Sequence, residues 1–154
     1  MIKKLSVYFI FFFIVSCAGY KPVFSPQNFN FSVSNIIFDD DDKVSKKISK
    51  RIASLSKDNG KNKITINLNS SKEEGILSRD SKGNPLIFEM SLQTNLEILF
   101  PSGNIKKFLF LEKFNFNNQS DKFELAQYRK ITEENLIDKI FENILNEIRK
   151  LDDN

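Results

Sequence analysis

Between Leu86 and Ile98 every second residue points the same way: Leu86, Phe88, Met90, Leu92, Thr94, Leu96 and Ile98 share one face, opposite Glu89, Ser91, Gln93, Asn95 and Glu97. Successive side chains of a strand lie on opposite sides, so this period of two commits the segment to a β-strand with one buried and one wet face. Half-wet strands belong to antiparallel sheets, and the buried face requires a covering layer. Turn chemistry brackets the strand. Ser81-Lys82-Gly83-Asn84 precedes it and Pro101-Ser102-Gly103-Asn104 follows it, each with a glycine able to take positive φ.

The neighbouring segments extend the same logic. Ile64, Ile66 and Leu68 alternate with Thr65, Asn67 and Asn69, which predicts a strand running toward Asp80; Glu73, Glu74 and Gly75 interrupt its apolar face and predict a bulge or an exposed half there. Beyond the second turn, Leu109 and Leu111 lie on one face and Phe108, Phe110, Phe114 and Phe116 on the other. A strand apolar on both faces needs cover on its second side, from a helix, a lipid or another protein. Upstream, Phe29, Phe31, Val33 and Ile37 predict a first strand with those four on one face.

Two segments switch to helical spacing. Val44, Ile48, Ile52 and Leu55 recur every three or four residues after the run Asp39 to Asp42, with Asp42 placed as the cap and Lys46, Lys47, Lys50 and Arg51 expected on the solvent face. The acidic run does not fit a calcium loop, because the sixth-position glycine and twelfth-position glutamate are missing. The closing segment carries Leu136, Ile137, Ile140, Phe141, Ile144, Leu145, Ile148 and Leu151 as one stripe, starts at an Asp121 and Glu124 capping box, and has a second start signal near Thr132 where a kink is expected. The order β-α-β-β-β-α predicts an α+β fold: two helices packed on one face of a mostly antiparallel four-stranded sheet, in a single domain over residues 29–154.

Chemistry is sparse. The 154 residues include no histidine and one cysteine, Cys17. That removes the Ser-His-Asp and Cys-His arrangements and most zinc sites. A hydrolase working with paired carboxylates would need two acidic groups facing each other across a cleft; Glu73 and Glu74 are adjacent and point apart on a strand, and the run Asp39 to Asp42 serves the helix start. No catalytic residue, metal site or cofactor is expected. Cys17 is better explained by what precedes it. Lys3 and Lys4 lead into an apolar run from Leu5 to Ser16, a secretory signal in layout and too short to span a bilayer as a helix. Ile14, Val15 and Ser16 before Cys17 resemble the lipobox of bacterial lipoproteins, which implies cleavage after residue 16, acylation of Cys17, and a tether over residues 17–28 containing two prolines and a glycine. Ala18 stands where an inner-membrane retention signal would place aspartate, so the outer membrane is the implied destination. Two of the 23 basic residues leave with the signal, so 21 face 20 acidic ones and no nucleic-acid field remains.

With the lipobox, the opening Cys17-Ala18-Gly19-Tyr20-Lys21-Pro22-Val23-Phe24, this element order and the closing helix around Leu136 to Ile148, the chain resembles the LPS-assembly lipoprotein family, LptE. The resemblance implies a non-enzymatic outer-membrane lipoprotein that plugs the LptD barrel, assists its assembly, and binds lipopolysaccharide for delivery to the outer leaflet. Basic residues contact the lipid in that family, and here Arg79 and Lys82 beside the first turn, with Lys106 and Lys107 beside the second, are the candidates; solvated charges flanking turns are the competing reading. The alternative function is an auxiliary lipoprotein of an ABC-type envelope lipid transporter.

Overall fold

The computed structural model describes residues 31–56 and 62–152, which form β1 (Phe31–Ile37), α1 (Lys43–Leu55), β2 (Asn62–Arg79), β3 (Pro85–Leu99), β4 (Ile105–Asn117) and α2 (Lys122–Asp152). The signal, Cys17, the tether and Phe29 lie outside the described residues. The fold is the expected α+β arrangement, with the sheet in the order β1-β2-β3-β4. Both antiparallel pairings follow from the two tight turns, where Gly83 and Gly103 each have φ of 86°. The exception is β1, which runs parallel to β2 because α1 carries the chain back across the sheet between them.

Both helices cover one face. Ile64, Ile66 and Leu68 of β2 and Met90, Leu92, Leu96 and Ile98 of β3 are buried with Val44, Ile48 and Ile52 of α1 and the stripe from Leu136 to Ile148 of α2. Thr94 lies fully buried among them, and its hydroxyl is satisfied by Ser70 at 2.9 Å, which in turn meets Ser45 at 2.8 Å.

Three expectations shift. The register of β1 slips between Val33 and Asn35, so Val33 and then Ile36 face the core while Ile37 turns to solvent. An extra residue inverts the alternation beyond it. In β2 the irregularity falls between Ile76 and Arg79, and Gly75 stays in the ladder opposite Glu89, although the half around Glu73 to Leu77 is exposed as expected. The closing helix runs unbroken through Thr132, which is buried, so the start signal there acts inside one 31-residue helix.

The two helices run the same way. Asp42 at the start of α1 holds the Ser70 amide, and Ser56 after its end accepts from the Val33 amide. Along α2, Tyr128 meets Phe116, Arg129 meets Glu74, and Lys139 and Asn143 reach Glu112 farther along. Both therefore lead from the β2-β3 turn end, called here the far end, toward the near end, where β1 begins and the β3-β4 turn lies. α2 rises about 46 Å and spans the whole sheet. α1 has only 13 residues and covers the near half.

Candidate functional site

The far turn is held by Asp80, whose carboxylate accepts from the backbone of Lys82 at 2.9 Å and from the backbone and side chain of Asn84 at 2.8 and 2.9 Å. The Asn84 side-chain bond, followed by its backbone amide, holds the Asp80 carboxyl below its usual range. Arg79 donates to the Gly83 carbonyl at 2.8 Å, so its guanidinium is partly committed to shaping the turn, while Lys82 is exposed at the tip.

At the near turn the two lysines separate. Lys106 pairs with Ile98 and lies on the helix side, whereas Lys107 pairs with Glu97 and lies on the open side. Its ammonium sits 2.6 Å from Glu97, and that hydrogen bond holds the Glu97 carboxyl below its usual range. A 15-residue strand separates the two turns, about 50 Å at the usual rise. The four sequence candidates therefore form two separate pairs, not one basic site.

The basic stripe of α1 also divides. Lys46 and Lys50 are exposed, but Lys47 and Arg51 turn to α2 instead of the solvent. Lys47 reaches Glu134 at 2.6 Å and Glu133 at 3.3 Å, Arg51 pairs with Asp138, and Lys72 of β2 joins Glu133 at 2.6 Å. Partial burial raises the Glu133 carboxyl, but Lys72 and Lys47 outweigh it and hold the group below its usual value. These charges fasten α1, α2 and β2 to one another. Glu74 is likewise paired with Arg129 on the helix side, while Glu73 faces the open side near Lys113, so the two carboxylates do not converge. Among the described residues no group of acidic side chains is placed to hold a metal.

What remains is surface. The open face of the sheet is polar along β2 and β3 and apolar at β4, where Leu109 is 61% and Leu111 52% exposed; the cover their alternation called for is not supplied by either helix. Phe108 and Phe110 on the other face are half-buried and Phe116 is buried, so α2 covers that side except at Phe114, which stays exposed. β4 and the part of β2 beyond Asn67 are sheet edges among the described residues. Sequence reading missed a second group at the far end: Ile76, Leu77, Leu86, Phe114 and Phe123 are all exposed, beside a packed unit in which Arg129 lies 5.0 Å over the Phe88 ring and Phe88 stacks on Phe116 at 5.6 Å. The available signal was length: a helix of α1's size cannot cover strands as long as β2 and β3.

No protein-family model matches the chain, and no curated protein does either. Solved structures do share its fold. Rare lipoprotein B from Shewanella oneidensis aligns with a TM-score of 0.61 at 15% identity, over 79% of this chain and 95% of that one. A minor lipoprotein from Acinetobacter baumannii gives 0.57 at 12% identity over 77% and 90%. A lipoprotein B from Nitrosomonas europaea gives 0.58 at 14% identity over 86% and 90%.

Proposed function

We propose that this chain is an LptE-like outer-membrane lipoprotein, anchored through Cys17, that plugs and assists assembly of an LptD-type barrel and helps deliver lipopolysaccharide to the outer leaflet. It acts by fitting against other macromolecules and not by turnover. The observation that carries the reading is the uncovered surface of a fold shared with three solved lipoproteins: one whole sheet face, long free edges and the exposed apolar groups of the far end. Isolated domains rarely leave such edges open, because unpaired strand amides and carbonyls invite another chain. A barrel wall offers both a concave surface for the open face and hydrogen-bonding groups for the edges.

Purification of the acylated chain from detergent-solubilised membranes tests this. A large β-barrel protein recovered in near-equal amount is the expected result, together with loss of surface lipopolysaccharide on depletion. Recovery of a permease or periplasmic lipid-binding protein instead, with surface lipopolysaccharide unchanged, points to the transporter-auxiliary alternative and rejects the barrel plug.

A further inference from the structure

The open edges of the sheet are not alike. β1 is seven residues long, its register slips between Val33 and Asn35, and Ser56 already occupies the Val33 amide. β2 beyond Asn67 has its Ser70 amide taken by Asp42 and its register broken between Ile76 and Arg79. Short length, irregular register and occupied amides keep an edge from recruiting another strand. β4 has none of these devices: its 13 residues pair with β3 without a break, and they include no proline. Its open-side lysines are turned away from the edge. Lys107 and Lys113 lean back on Glu97 and Glu89 of β3, at 2.6 and 3.1 Å.

The two ends of the ladder show which backbone groups are free. The Phe100 amide donates to the Asn104 carbonyl at 2.9 Å, and the Asn118 amide to the Leu86 carbonyl at 2.7 Å. Antiparallel bonding alternates along a strand, so the even-numbered residues of β4 bond to β3 and the odd-numbered ones turn their amides and carbonyls outward. Two copies related by a two-fold axis therefore pair with odd residues opposite odd ones. An axis at Phe110 sets Lys107 against Lys113 of the second copy, and an axis at Leu111 sets Glu112 against Phe110. Only an axis at Leu109 brings Glu112, the one acidic residue of β4, opposite a cation. That cation is Lys106, which has no acidic partner among the described residues. By symmetry the pair forms twice, as does Phe108 with Phe110, and the exposed Leu109 meets its own copy. Opposed charges and opposed aromatic rings are the cross-strand pairs that stabilise an antiparallel seam.

We propose that two copies of this chain pair through β4, antiparallel about Leu109, joining their four-stranded sheets into one with the helices of both on the same face. The pairing goes beyond the barrel reading and concerns the chain before it meets a barrel. A sheet of twice the width does not fit a lumen shaped to one copy, so insertion separates the copies and frees the β4 edge for the wall.

Acylation leaves the Cys17 sulfur as a thioether, so a cysteine introduced into the full acylated chain is its one free thiol. Light scattering of the acylated chain in excess detergent gives the mass of two copies. On mild oxidation Leu109→Cys forms a disulfide between copies, the two Cα atoms lying about 5.5 Å apart across the axis; Leu111→Cys and Asn115→Cys do not. Lys106→Glu opposes two acidic groups and Glu112→Lys opposes two basic ones, so each variant alone pairs about tenfold more weakly. Mixed together they regain the pairing, because each then meets the opposite charge at both positions. A one-copy mass across the micromolar range overturns the proposal, as does equal cross-linking at 109 and 115, cross-linking at 111 in place of 109, or a mixture that pairs no better than either variant. A one-copy mass with a barrel recovered in near-equal amount removes this pairing and leaves the barrel reading standing; stable pairing with no barrel recovered does the reverse.

Discussion

Asp42 joins three parts of the protein through one carboxylate. One oxygen accepts from the Ser45 amide at 2.8 Å and the other from the Ser70 amide at 2.7 Å, while its carbonyl accepts the first helical bond from Lys46. The first contact is an ordinary N-cap. The second satisfies an edge amide of β2 just beyond the point where β1 stops pairing. Asp42→Ala leaves both amides unpaired and is expected to cost about 1–3 kcal/mol, read as a lower urea midpoint at constant slope. Asp42→Asn keeps an acceptor for the cap and is expected to recover about half of that loss. The hydroxyl chain from Ser45 through Ser70 to Thr94 lies directly behind this cap, so a polar seam in the core marks where α1 must dock.

At the scale of elements, the charged seam among α1, α2 and β2 sets a pH window. The folded Glu133 carboxyl lies below its ordinary 4.5, so its contribution is present above that value and lost as pH falls through the folded one. The folded Lys47 ammonium lies above its ordinary 10.5, chiefly through its hydrogen bond to Glu134, so its contribution is present below 10.5 and lost as pH rises further. Lys47 remains 40% exposed, and solvent screening keeps its share small. Glu133→Gln is therefore expected to flatten the fall in urea midpoint below pH 4.5 and also to shrink the small alkaline-side contribution of Lys47, which Glu133 helps to raise. This seam was invisible in the sequence, where Lys47 and Arg51 read as solvated, because the periodicity of α1 fixes its apolar side but not which neighbour flanks it. The same limit explains the other departures. The alternation of β3 and the stripes of both helices were legible because local period alone decides them. The facing of Ile36 and Ile37 was not, because a single inserted residue in β1 depends on the parallel partner it meets. The charges beside each turn could be located, yet their separation into opposite ends and opposite faces follows from strand length and register.

On the scale of the whole molecule, unequal helix lengths divide one sheet into two regimes. In the near half, α1 and α2 together bury both central strands; in the far half, β2 beyond Ser71 and the start of β3 have only the first turns of α2 above them and solvent below. Opening free energy follows buried apolar contact, so the far ribbon should exchange its amide hydrogens ahead of global unfolding. Amides from Lys72 to Phe88 are expected to exchange at least tenfold faster than those of Ile64 to Leu68 and Leu92 to Ile98, in hydrogen exchange followed by mass spectrometry. Equal protection in both halves would show that the clamp of Arg129, Phe88 and Phe116 compensates for the missing helix cover. If the far ribbon is the part that fits into a barrel, its protection should rise on complex formation while the near half stays unchanged. A ribbon that is weakly held alone and ordered against a partner can adjust its twist and edges to the wall it meets, while the near half, buried under both helices, keeps the start of β1 in place.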